Sequence, residues 1–189
     1  MQTPQVPALP GMTPMGFPEK PATEAPKSKR IRKPKPAAEL KVIRLRDTAP
    51  AGTIIDAPDS AVRYWREHIT KADWYDPDKE AVVILILDTR KQIKGHNLVS
   101  LGILDQSLIH AREVFRPIIL AGGHSFVMMH NHPSGIPTPS DSDVRATREL
   151  VRCGRLMHIE MCDHVIVGTA SDGKPPAEPV SMRNLGLWQ

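Results

Sequence analysis

Two cysteines in 189 residues, Cys153 and Cys162, are too few for a disulfide framework. Their separation is not that of a Cys-x-x-Cys pair, which argues against a zinc ribbon and a thioredoxin-type redox couple, so free buried thiols in a reducing cytoplasm are expected. No apolar run approaches the ~18 residues that a membrane-spanning helix needs. The chain carries five prolines by Pro18 and no apolar signal core there, so no secretory signal is read. A soluble, cytoplasmic protein with no membrane partner is the expectation. Nothing repeats, and the His-x-Glu and Pro-Cys-x-x-Cys elements of zinc deaminases are missing.

What is present divides into two compositions. Nine of the 19 prolines fall between Pro4 and Pro36, and Lys27 to Lys35 is a concentrated basic run. Such a segment cannot bury enough apolar surface to offset its ordering entropy, so residues 1–38 are expected to form a disordered basic tail. Through Lys41 the chain has eight Lys/Arg against three Glu, or +5, leaving 17 of the 25 basic and 18 of the 21 acidic residues, or −1, for the remainder. All of the net positive charge is therefore in the tail. Clustered Lys/Arg gain by releasing phosphate counterions, so weak, salt-sensitive, nonspecific DNA binding through residues 27–35 is expected. No aromatic interleaves the run to stack on single strands. The plainer reading of the same composition is a solubilising linker.

With 40% hydrophobic residues the chain has material for one core. Residues 39–76 read as a lead-in: a short edge strand at 40–45, then a helix capped by Asp59 or Ser60 and running to about Ile69, with Val62, Trp65 and Ile69 on one face. A domain over 77–189 follows. Its unbroken run Ala81 to Leu87, rich in Val and Ile, suits a central strand buried on both faces. A strand over 92–100 comes next, then a helix from Ser107 to Leu120, loosened by Pro117 and ended by Gly122-Gly123. Ser125 to Met129 is a further apolar strand. A helix from Ser140 to about Cys153 with a Gly154 cap, and strands at 158–161 and 164–167, complete the order. Strands alternating with helices in this way argue for an α/β fold, a mixed β-sheet sandwiched by helices.

Chemistry concentrates at His130-Asn131-His132-Pro133-Ser134-Gly135, where the Ser125 strand ends. Side chains alternate across a strand, so His130 and His132 aim at one point while Asn131 faces away. Pro133 and Gly135 then turn the chain. Ser140 and Asp143 fit a Ser-x-x-Asp capping pattern, which places Asp143 in the first turn of the next helix. Two imidazoles and one carboxylate are the ligand set of an open zinc site, with the fourth position left to water. Taken singly, a histidine at a strand end is most often just hydrogen-bonded and a Ser-x-x-Asp only a cap; the combination is far more specific.

The combination resembles the JAMM signature of the JAB/MPN metalloprotease superfamily, carried here by His130, His132, Pro133, Ser140 and Asp143. The intervening residues, His-Asn-His-Pro-Ser-Gly and then Pro-Ser-x-x-Asp, are similar to the RadC variant of that domain. Glu80 heading an apolar strand that ends Leu87-Asp88, Gly102, Arg112 to Arg116, Asp163 to Gly168, Ser181 and Gly186-Leu187 extend the likeness over residues 78–187. The helix-hairpin-helix element usual ahead of the RadC domain is not found, and Ile103 and Ala111 replace a common Thr and Pro.

The resemblance implies a JAB/MPN-like fold and a zinc-dependent metallopeptidase acting on a peptide or isopeptide bond of a protein substrate. His130, His132 and Asp143 would be the metal ligands. Glu80 matches the superfamily's general base and Ser140 its oxyanion donor. Without the resemblance, Glu80 is a solvated carboxylate beside Lys79. Glu113 is the competing base, but Arg112 and Arg116 flank it as structural partners. Ser134 receives no role, and Asp163-His164 is read as a sheet-end pair or as support for a ligand. Two rival functions follow from other features: a DNA-repair-associated binding module with a structural metal, from the basic tail and the RadC name, and a metal nuclease, from the literal His-Asn-His string.

Overall fold

The structure, a computed structural model, describes residues 49–102, 109–170 and 176–188. The tail at 1–38 and the strand expected at 40–45 lie outside the described residues, and the helix expected from Ser107 begins instead at Ala111, with an extended His110 as its N-cap.

The run that begins at Glu80 forms β1 (Glu80–Leu87), and β2 (Ile93–Gly102) returns antiparallel beside it. On the other side of β1 lies β3 (Ser125–His132), also antiparallel; β4 (Glu160–Gly168) is parallel to β3, and the two-residue β5 (Val180–Ser181) closes that edge. The order β2-β1-β3-β4-β5 is a mixed sheet. Among the described residues three α-helices cover it: α1 (Pro58–Tyr64), α2 (Ala111–Leu120) and α3 (Asp141–Met157).

Strand alternation splits the interior into two layers. Val83, Leu85 and Leu87 of β1 and Val127 and Met129 of β3 pack with Val62, Trp65 and Ile69 from the α1 side. Val82, Ile84 and Ile86 of β1 and Phe126 and Met128 of β3 face the other way, onto Val114, Phe115 and Ile118 of α2 and Leu150 and Val151 of α3. Each such side chain contributes roughly 1.5–3 kcal/mol by leaving water, so both faces of β1 hold the fold together. This is the α/β arrangement, a mixed sheet covered by helices, that the alternation of strands and helices implies.

Several local expectations are corrected. The first helix is capped by Ala57 with Pro58 in its first turn, and the Ser60 hydroxyl instead accepts the Ala57 and Asp56 N–H groups. It then widens into a π-turn over Trp65–Ile69. The strands read at 158–161 and 164–167 are the single strand β4, because Asp163 lies in the ladder opposite Val127. Gly154 does not end α3, which continues to Met157 and is capped by His158 at φ 55°. A Cβ at Gly154 would sit 2.4 Å from the Ile159 carbonyl oxygen, so glycine is there for the close return of the chain. The expected end of α2 holds, since it runs through Pro117 to Leu120. Among the described residues no helix is long and apolar enough to cross a membrane.

Candidate metal centre

The register places the side chains. In the antiparallel β1/β3 pair Val82 lies opposite His130, so the start of β1, with Glu80, meets the end of β3. Glu80, His130 and His132 share parity with Val82 and Met128 and therefore project from the face covered by α2 and α3. Beyond His132 the chain turns through Gly135 at φ 78°. That turn lies directly on β4: a Cβ at Gly168 would come within 2.3 Å of the Gly135 carbonyl oxygen. The tight seat brings the Ile136 carbonyl to 2.8 Å from His132 Nδ1.

Helix α3 delivers the carboxylate through its own cap. Ser140 is the N-cap, and its hydroxyl accepts the Asp143 N–H at 3.2 Å. In return Asp143 Oδ2 accepts the Ser140 N–H at 2.7 Å and the Ser140 hydroxyl at 2.5 Å. This reciprocal capping box occupies one carboxylate oxygen and leaves Oδ1 facing the sheet, 3.3 Å from His130 Nε2.

Glu80, His130, His132 and Asp143 converge, each offering one atom within 4.8 Å of the others, and together they could hold a metal ion. His130 Nε2 lies 2.9 Å from His132 Nε2 and 3.5 Å from Glu80 Oε1. A carbonyl oxygen only accepts, so His132 must carry its proton on Nδ1, toward Ile136, when neutral. Its bare Nε2 then faces another imidazole nitrogen and two carboxylates. Lone pairs and anions gathered around one point repel unless a cation or a proton sits among them, so the donor set fits a divalent ion.

The acid–base balance agrees. Burial pushes His130 down to about 4, against the pull of Asp143, so it stays neutral. Asp143 beside His132 holds that imidazole above its ordinary value despite partial burial. Burial works to raise Asp143, but His132, His130 and the Ser140 hydrogen bonds together hold its carboxyl well below the usual range. His164 is buried and held well below its ordinary value by that burial, and is therefore neutral. A cleft of about 380 Å³, bordered by Glu80, His132, Ser140, Asp143 and Arg145, opens beside the cluster.

Other residues fall outside it. Glu113 is exposed on α2, 3.9 Å from Arg112. Ser134 Oγ accepts the Ile136 N–H at 3.4 Å within the turn. Asp163 turns away from the cluster: it accepts the Ser181 hydroxyl at 2.7 Å and the His164 and Arg183 N–H groups, tying β5 to β4. His164 separates from it and reaches His130 Nδ1 at 2.7 Å. Two side chains were not assigned from the sequence. Thr147 stands behind His164 at 2.7 Å, and nothing in a mid-helix threonine signals that. Asn131 is fully buried, accepts the Ala81 N–H at 2.9 Å and donates to the Lys79 carbonyl at 3.1 Å and to Thr169 at 3.0 Å. Its amide thus straddles Glu80, holding the peptide groups on either side of it.

Residues 55–187 match the family model described as RadC-like JAB domain. The chain belongs to the RadC family. Relatives of this RadC chain include a UPF0758 protein of Methanosarcina acetivorans, 46% identical over 90 residues that make up 48% of this chain and 39% of the relative. One from Chlorobaculum tepidum is 45% identical over 93 residues, 49% of this chain and 42% of that protein. One from Bacillus velezensis is 38% identical over 115 residues, 61% of this chain and 48% of that protein. The RadC match thus spans less than half the length of each of these curated relatives.

Proposed function

We propose that this RadC domain is a zinc-dependent metallopeptidase that cleaves a peptide or isopeptide bond of a protein substrate. The observation that carries the reading is the pair of imidazole nitrogens 2.9 Å apart, with Asp143 Oδ1 and Glu80 Oε1 beside them. The JAB/MPN family, which includes metallohydrolases, supports the same chemistry. His130, His132 and Asp143 hold the ion. Bound there, zinc would supply a Lewis acid and lower the pKa of a coordinated water toward ~7.

The protein's own groups do the rest. Glu80, at the mouth of β1 and the edge of the cleft, takes the proton of the attacking water and passes it to the leaving amine. Asn131 fixes the backbone on both sides of that carboxylate. The Ser140 hydroxyl, engaged with Asp143 at rest, rotates to donate to the oxyanion of the tetrahedral intermediate.

Zinc-loaded protein incubated with a complex peptide mixture should generate new amino termini detectable by mass spectrometry. Glu80→Gln should keep its zinc and lose about 10²–10⁴-fold in turnover, the usual worth of a general base. A Glu80→Gln variant as active as wild type would remove Glu80 from the mechanism. Loaded, folded wild type that cuts no peptide would favour the binding module with a structural metal, and metal-dependent DNA cutting lost in His132→Ala would favour the nuclease. We further propose that residues 27–35 bind DNA weakly through phosphate contacts. Deleting residues 1–38 should then reduce that binding and its salt dependence, and unchanged binding would leave the tail a linker.

A further inference from the structure

Behind His130, on the side away from the cleft, three polar groups stand in line. His130 Nδ1 meets His164 Nε2 at 2.7 Å, and His164 Nδ1 meets Thr147 Oγ1 at 2.7 Å. Thr147 Oγ1 in turn lies 2.6 Å from the Asp143 carbonyl oxygen and 3.4 Å from Met182 Sδ. All of this is sealed: His130 and His164 are each 1% exposed and Thr147 is 0% exposed.

The line has one consistent arrangement of protons, because its far end can only accept. A carbonyl oxygen has no proton, so at 2.6 Å the Thr147 hydroxyl must donate to Asp143. The thioether of Met182 is also only an acceptor, and a weaker one. Having one proton and having spent it, Thr147 Oγ1 can only accept from His164, which therefore carries its proton on Nδ1. A neutral imidazole has one donor and one acceptor, so His164 Nε2 is bare and accepts from His130 Nδ1–H. The remaining nitrogen of His130, Nε2, is then left with an open lone pair facing His132 and Asp143.

We propose that Thr147 and His164 are positioning residues that fix the tautomer of His130, so that its Nε2 lone pair is held open toward the cleft. The inference rests on the metal-centre reading for its purpose, not for its geometry. Helix α3 supplies both the Asp143 carboxylate, aimed at the cleft, and the Asp143 carbonyl, which anchors the relay from behind. His132 obtains the same tautomer by a separate route, through the Ile136 carbonyl at 2.8 Å. Both imidazoles are thereby preset with Nε2 open. A buried imidazole without such a partner could carry its proton on Nε2 and block the site.

The test uses the full chain and zinc alone. Zinc affinity is measured by competition with a chromophoric chelator for wild type, Thr147→Ser and Thr147→Val. Nitrogen-15 NMR of the metal-free proteins, in mildly alkaline buffer, reads which ring nitrogen of His130 is protonated. Thr147→Ser keeps the hydroxyl and should match wild type. Thr147→Val, nearly the same shape, should bind zinc roughly 10- to 100-fold more weakly, the usual cost of losing such support. It should also show an Nε2-protonated population of His130. Unchanged affinity and tautomer in Thr147→Val would overturn the relay while leaving the metal centre standing. Wild type that binds no zinc, with His130 still protonated on Nδ1, would uphold the relay and sink the metal reading. If Thr147→Val does not fold, the wild-type spectrum decides alone, since a proton on His130 Nε2 contradicts the proposal.

Discussion

The two faces of β3 bury different things. On the α1 face Val127 and Met129 enter an apolar layer, and the next residue on that face, Asn131, makes bonds that end in backbone groups and a threonine. On the opposite face Phe126 and Met128 give way, two residues on, to His130 and His132, whose Nε2 atoms face each other and the Asp143 and Glu80 carboxylates. Both faces are buried, so burial does not distinguish them. The difference is where the polar valences go. Asn131 uses both amide donors and its oxygen and acts as a joint, whereas the histidines have partners behind and open nitrogens in front, which suits the proposed ligand set.

Breaking the joint without breaking the set would sharpen this contrast most. Asn131→Ala leaves the Ala81 N–H, the Lys79 carbonyl and Thr169 without that partner, and should cost about 1–3 kcal/mol in urea unfolding. Zinc stoichiometry should stay at the wild-type value, because none of the four converging side chains is touched. Loss of zinc in a folded Asn131→Ala protein would mean that the two faces are not separable.

A smaller effect should appear with pH. In the proposed zinc site the ligand form of each imidazole is the neutral one, and Asp143 holds His132 above its ordinary 6.5, so a proton would compete with zinc below that raised value. His130, pushed down to about 4 by burial, adds no competing proton until far lower pH. Zinc affinity should therefore fall about tenfold for each pH unit below the His132 transition, as one proton is displaced per ion. A flat affinity across that window would place His132 outside the set, and a twofold steeper fall would mean that His130 is not held neutral.

The sequence made the set more legible than its supports. His130 and His132 are readable from the two-residue period of a strand, and Asp143 from the Ser-x-x-Asp cap, because both are local rules. Glu80 has no local signal; it reaches the cluster through β1/β3 pairing across 50 residues and was readable only through the family resemblance. Strand alternation turns Asn131 away from the histidines, as observed, but its grip on the peptides around Glu80 depends on the same long-range register. Thr147 was invisible for a similar reason: its partner sits on β4, and helix period alone makes it a core residue. Asp163 and His164, read together, part company because adjacent strand residues point to opposite faces. Merging the two predicted strands into β4 follows from the sheet completing around a polar residue that local pattern had treated as a break. The sandwich itself was readable from element order.

The most direct test of the account is elemental analysis of purified protein, wild type beside His132→Ala and Asp143→Ala. About one zinc per chain in wild type, absent from both folded variants, is the predicted result. A folded wild type without metal, or variants that retain it in full, would contradict the assignment of this cluster as a metal centre.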